Sequence, residues 1–308
     1  MKALRLIPLV ALALVPAAYS PAGEARTAAD CSVRSTGLVP LTDLGRVRYR
    51  GQIGGLYPGG ANKPPRKHLQ RGLIKARTVR PIRGRVGFVG IGMSNAMDEF
   101  RAFSRASAQD PAVSKSLTYV EGPGGGWDAV RIAKPGARYW KDLDTRLRKA
   151  RLVRGQVQVV WLKEAIAGED RPFPQDARAL QANLRPIVRN LAGRFPNLRL
   201  VYVSSRTYGG YSISHLNPEP FAYEGGFGVK WLVQDGIEGR LPARVWVGWG
   251  PYLWTDGQAG RRDGLTWACE DVVEDGMHPS PSGVRKVARL LTDFFKTDQT
   301  AKSWFAAT

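Results

Sequence analysis

From about residue 82 onward, short runs of consecutive apolar residues alternate with longer segments of helical spacing, and this alternation constrains the fold more than any other feature. The runs are RVGFVGI (85–91), LTYVEG (117–122), VQVVWL (157–162), LRLVYVSS (198–205) and ARVWVGW (243–249). Between and after them, residues 94–107, 138–152, 177–195, 222–237 and 280–295 place apolar side chains at helical intervals, as Met97, Phe100 and Phe103 do. A strand that is apolar at every position is covered on both faces, and strands alternating with helices make a parallel sheet. The expectation is an α/β domain over 82–300: a three-layer α/β/α sandwich on a parallel sheet of about five strands. Pro186 falls inside the third helical segment, where it predicts a kink or a break. Ligands of such sheets bind at the carboxyl ends of the strands, which directs attention to loops 92–96, 122–128, 163–170, 205–220 and 270–280.

The ends of the chain read differently. Lys2 and Arg5 precede an apolar stretch over 6–18 and then small residues, the layout of a secretory signal peptide with a cut between Ser20 and Ala29. An uncleaved anchor is the alternative, although the stretch is short for a bilayer span. Asp30 precedes Cys31 where a lipid-anchored cysteine would have a small residue. Export permits Cys31 and Cys269 to form a disulfide, which would tie the mature N-terminus to the segment before Asp275. Residues 30–81 are rich in Gly, Pro and Arg and show little periodicity, which predicts an irregular extension lying on the domain. Its GGLYPGG run lacks the Gly-Lys-Ser/Thr ending of a phosphate loop.

A general base at neutral pH is most easily a histidine, and there are three: His68, His215 and His278. His278 lies in EDGMHPSPSG, directly before the last helix, three residues after Asp275. In a turn, that spacing lets the carboxylate reach the near ring nitrogen and leaves the far one to take a proton. Ser94 follows the first strand in GIGMSN, where its hydroxyl sits at the strand's carboxyl end and its N–H at a helix start, a place that favours an oxyanion. The plain alternatives are a helix-capping serine and a turn-capping aspartate beside a surface histidine. Gly90 and Gly92 begin like a dinucleotide fingerprint, but Asn95 stands at the third glycine position and no acidic residue follows at the right distance. The Gly-x-Ser-x-Gly elbow is absent as well. Scattered histidines and distant cysteines offer no zinc cluster, so no metal or other cofactor is expected.

Taken together, Gly-x-Ser-Asn after the first strand, the glycines of GPGGG (122–126) after the second and Asp-Gly-Met-His-Pro-Ser before the last helix resemble the SGNH (GDSL-like) hydrolase superfamily over residues 82–296. GMSNAM is similar to the first block of its carbohydrate acetylesterase branch. The resemblance implies a flavodoxin-like sandwich, with Ser94 as nucleophile, His278 as base and then acid, and Asp275 as its orienting partner. It implies an oxyanion hole from the N–H of Ser94, a glycine N–H that maps to Gly125 (or to Gly124 or Gly126), and a side chain of the third block. That block departs from the family, whose members carry an amide there: here Trp161-Leu162-Lys163-Glu164-Ala165 puts Lys163 in its place. A lysine there can hold an oxyanion, bind an anionic substrate group or pair with Glu164. Trp127, Trp161, Tyr208 and Tyr211 fall in or near the rim loops, where flat faces suit sugar rings, and Arg206 beside them suits a carboxylate.

The expected function is an exported serine esterase acting on a small-molecule or glycan ester, O-acetyl groups on a carbohydrate among them. The competing expectations are a catalytically inactive glycan-binding relative and a surface-attachment protein. The latter draws on the net charge of +20, which becomes +18 once residues 1–29, with Lys2, Arg5 and Arg26 against Glu24, are removed. That charge suits acidic polysaccharide as a partner. The basic residues are spread along the chain with no nucleic-acid motif, so specific nucleic-acid binding is not expected.

Overall fold

The computed structural model describes residues 29–168 and 170–307; the leader expected over 1–29 lies outside them but for its last residue. The five apolar runs form the strands β1 (Val86–Gly92), β2 (Leu117–Glu121), β3 (Val157–Lys163), β4 (Leu200–Val203) and β5 (Trp246–Trp249). They pair in parallel in the order β2-β1-β3-β4-β5, the doubly wound arrangement of flavodoxin-like sheets. Every residue of β1, β3, β4 and β5 is buried, which is why those runs are apolar without alternation.

Helices cover both faces: α1 (Arg66–Arg77), α2 (Ser94–Gln109), α3 (Arg138–Lys149), α4 (Gln175–Arg194), α5 (Phe221–Ile237) and α6 (Pro281–Thr297). The chain reverses direction across the sheet between β2 and β3. Right-handed crossovers therefore put α2 on one face and α3, α4 and α5 on the other. On the α2 face, Phe88 of β1 meets Phe100 and Phe103 of α2 and Phe295 of α6 with ring centres 5.0–5.8 Å apart. No helix among the described residues is long and apolar enough to cross a membrane.

Two local expectations change. Pro186 does not break its segment, since Gln175–Arg194 is one helix of 20 residues that carries the proline inside it. The extension also carries α1, a 12-residue helix against the edge strand β5. Its fully buried positions are His68, Gly72 and Ala76, with Leu69 and Leu73 half-buried beside them, so its apolar period (Leu69, Leu73, Ala76) is short and sits among Gly, Pro and Arg. Gly72 brings its backbone so close that a Cβ there would lie 2.8 Å from the Trp246 ring. This covers the strand edge that would otherwise be open to solvent.

Candidate active site

Ser94 is the first residue of α2, immediately beyond the carboxyl end of β1. It is not a capping serine: Met93 holds the cap position and makes no side-chain cap. The entry is tight, because a Cβ on Gly92 would lie 2.3 Å from the Lys163 carbonyl oxygen and 2.4 Å from Ala96 Cβ. Only glycine lets β1 lie so close to β3 and turn at once into a helix. Ser94 is half-exposed, and its N–H belongs to the first helical turn, whose N–H groups have no intrahelical acceptor.

The partner loop precedes α6. His278 Nε2 lies 2.8 Å from Ser94 Oγ, and His278 Nδ1 lies 2.5 Å from Asp275 Oδ2. The other oxygen of Asp275 accepts the backbone N–H groups of Met277 (2.9 Å) and His278 (2.8 Å). Burial raises the Asp275 carboxyl, but the bonds from His278 and Met277 outweigh it and hold the group below its usual value. The turn closes with Val273 N–H donating to the His278 carbonyl and with Gly276 at φ +69°. Ser280 then caps α6 by accepting from Ser282 N–H and Gly283 N–H.

A contact not expected from the sequence ties the two halves together. Asn95, 2% exposed, donates its Nδ2–H to the Met277 carbonyl at 3.0 Å. The signal available was a polar residue on the inward face of α2, shared with Glu99 four positions on. The glycine loop also reaches this end of α2: a Cβ on Gly124 would lie 2.9 Å from Met97 Cε. Gly125 and Gly126, both exposed, follow with φ of +66° and +71°.

Several expected site residues are placed elsewhere. Lys163 is 2% exposed, and its Nζ lies 2.5 and 2.6 Å from the two oxygens of Glu99, itself fully buried. Its ammonium is held by α2 beneath the sheet end, not presented to an oxyanion. Burial pushes the Glu99 carboxyl up and the Lys163 amine down, and each ion's field restores part of the other's charge. Arg206 is 5% exposed and lies within electrostatic reach of Lys163, Glu99 and Glu164, so it belongs to this buried cluster and not to an open rim. Trp161 is wholly buried, stacked on Phe100 at 5.9 Å and donating to Ser204 Oγ, because at an inner strand position its side chain has no route to solvent. Tyr208 and Tyr211 are buried; their hydroxyls donate to the carbonyls of Val33, in the N-terminal strap of residues 30–40, and of Trp267, in the segment before α6. Trp127 alone of these aromatic residues stays half-exposed, edge-on to Tyr139 at 5.9 Å.

Cys31 and Cys269 are joined in a disulfide, as expected, with Cα atoms 5.5 Å apart. Of the other histidines, His215 is exposed in the loop after β4. His68 is buried on α1 with Nε2 3.0 Å from the Val247 carbonyl, and burial first, then Arg71, lower its pKa to about 4. No group of metal-ligating side chains occurs among the described residues.

Neither a known sequence family nor a curated protein matches the chain. Solved structures similar to it include an Arabidopsis thaliana protein (15% identity, TM-score 0.37, covering 67% of this chain and 69% of that one). A salicylyl-acyltransferase from a tetracycline biosynthetic pathway has 12% identity and TM-score 0.35, covering 70% of this chain and 56% of its own. An extracellular lipase of Streptomyces rimosus has 11% identity and TM-score 0.34, covering 68% and 99%.

Proposed function

We propose that the protein is an exported serine-dependent carboxylic ester hydrolase. The observation that carries this is the hydrogen-bonded chain Ser94–His278–Asp275 at the carboxyl end of β1. His278 Nε2 takes the Ser94 proton as Oγ forms a bond to the ester carbonyl carbon. Asp275, fixed by two backbone N–H groups, keeps Nδ1 protonated and stabilises the imidazolium. The N–H groups of Ser94 and Gly125 receive the oxyanion. The C–O bond to the leaving alcohol breaks and His278 returns the proton to that oxygen. Water, deprotonated by His278, then releases the acid and restores Ser94.

The substrate we favour is a small acyl ester on a carbohydrate, supported by the half-exposed Trp127 at the end of the glycine loop. Export rests on the leader-like sequence and the Cys31–Cys269 bridge.

The test is hydrolysis of p-nitrophenyl acetate by the mature chain beside Ser94→Ala and His278→Ala, with fluorophosphonate labelling of all three. Each substitution is expected to lower kcat by about 10⁴–10⁶, and Ser94→Ala to abolish labelling. Equal slow rates in all three, with no labelling of the parent protein, would end the esterase proposal.

A further inference from the structure

Between α4 and α5, with no residue assigned to catalysis in its lining, lies a pocket of about 360 Å³ whose wall includes Arg178, Gln181, Arg185, Trp231, Asp235 and Arg240. One buried carboxylate organises it. Asp235, 1% exposed, accepts from Arg185 Nε (2.6 Å) and Nη2 (3.0 Å) and from Gln181 Nε2 (2.8 Å), and pairs with Arg240 Nε at 3.2 Å. Arg178 has no carboxylate partner among the described residues. Its guanidinium lies over the Trp231 ring, 3.6 Å from the ring centre, and donates to the neutral Gln181 Oε1 at 3.0 Å. Three guanidinium groups against Asp235 leave the lining with two excess positive charges, or one when Glu238, which pairs with the outer side of Arg240, is counted. Burial, and then the like charge of Arg185, lower the Arg178 pKa, the mark of a cation with too little compensation.

We propose that this pocket is a second, non-catalytic site that binds a carboxylate or sulfate group carried on an acidic polysaccharide, with Arg178 and Arg185 as contact residues. Planar guanidinium forks held on an indole and a buried carboxylate are preorganised for an oxyanion, so little side-chain entropy is lost on binding. Single-stranded nucleic acid fits less well. It needs open aromatic faces for its bases, and Trp231 is 5% exposed beneath Arg178. Gln52 and Gln234 on the same wall bring amide side chains to where sugar hydroxyls would lie.

The site is independent of the esterase proposal, and its test reads binding. Fluorescent polygalacturonate, dextran sulfate and single-stranded DNA are titrated with the full mature chain at several salt concentrations. Three proteins are compared: the parent, Arg178→Gln and Arg105→Gln, the last removing an equal charge from an exposed position on α2. The expected result is about tenfold weaker binding of one or both glycans by Arg178→Gln, a salt dependence shallower by about one in slope, and no change with Arg105→Gln. The glycan that responds identifies the group recognised. Arg178→Lys keeps the charge without the planar fork and guards against a folding defect; it is expected to bind between the two. p-Nitrophenyl acetate hydrolysis is expected to be unchanged in Arg178→Gln. Equal losses in Arg178→Gln and Arg105→Gln, or none in either, would overturn the proposal. DNA bound as tightly as either glycan, with the same dependence on Arg178, would overturn the assignment to a polysaccharide.

Discussion

Replacing Lys163 by methionine separates a charge that serves the fold from one that serves the reaction. In the folded chain, both oxygens of Glu99 lie within 2.6 Å of the Lys163 ammonium, and the two side chains are 0% and 1% exposed. Lys163→Met leaves a buried carboxylate without its bonded cation, and breaking one side of a buried pair costs about 3–5 kcal/mol. Arg206 nearby, and the already raised pKa of Glu99, which favours taking up a proton, place the expectation at the lower end, about 3 kcal/mol. The double change Lys163→Met with Glu99→Leu removes both ions and their desolvation, and is expected within about 1 kcal/mol of the parent. Urea unfolding followed by tryptophan fluorescence measures all three proteins, with p-nitrophenyl acetate turnover in the same samples. Turnover per folded molecule is expected to change less than fivefold, an allowance small beside the effect of losing an oxyanion donor. A fall in kcat of about 10²–10³ with an unchanged unfolding midpoint would refute this reasoning, because that is the signature of a lost donor.

Three further outcomes follow from the same structure. His68 stays neutral to about pH 4 when folded but titrates near 6.5 when unfolded, so its contribution is whole above about pH 6.5 and is lost as pH falls toward 4. Urea midpoints across that window are expected to fall with pH in the parent and less steeply in His68→Gln. Asn95→Ala strands the buried Met277 carbonyl, at a cost of about 1–3 kcal/mol. It is also expected to lower kcat while leaving KM for p-nitrophenyl acetate nearly unchanged, and an equal rise in KM would assign Asn95 to substrate binding instead. Cys31→Ser with Cys269→Ser opens a loop spanning 238 residues and is expected to cost about 2–4 kcal/mol of unfolding free energy. Reducing agent should bring the parent down to the same midpoint and leave the double variant where it is.

The sheet was legible because parallel strands covered on both faces write themselves as unbroken apolar runs, and β1 to β5 fall where those runs predict. Ser94, Asp275 and His278 were singled out by a strand-to-helix turn and a three-residue spacing, which alone left capping roles open, and by the order of their motifs, which resembles the SGNH hydrolases; the structure brings the three side chains together. What depended on distant partners was not legible. Lys163 is held by Glu99, 64 residues away, and at a strand end nothing local separates an inward lysine from one facing a cleft. Tyr208 looks like a rim aromatic until the strap bearing Val33, 175 positions earlier, is laid over it. α1 was missed because its apolar period, Leu69, Leu73 and Ala76, is short and lies in a stretch of Gly, Pro and Arg, while His68 and Gly72, which face Trp246, are not residues that mark a buried helix face.

These non-local contacts bear on the proposed chemistry because Ser94 and His278 sit 184 positions apart and meet across one hydrogen bond. A single bond between a helix start and a loop does not fix a distance; independent tethers do. Asn95 links the turn after Ser94 to the residue before His278. On its other side, the Asp275 turn is pressed so close to the loop after β4 that a Cβ on Gly276 would lie 1.7 Å from the Tyr211 carbonyl oxygen. Tyr211 accepts the N–H of Asp30, next to the Cys31 that is bridged to Cys269, and the Cys269–Asp271 turn carries the carbonyl that accepts Ser280 N–H beyond the histidine. The His278 loop is thus held from the α2 side, from the β4 loop and through the disulfide. Each tether restrains a different direction, which is what the proposed proton relay requires when displacement of about 1 Å can cost a hundredfold in rate.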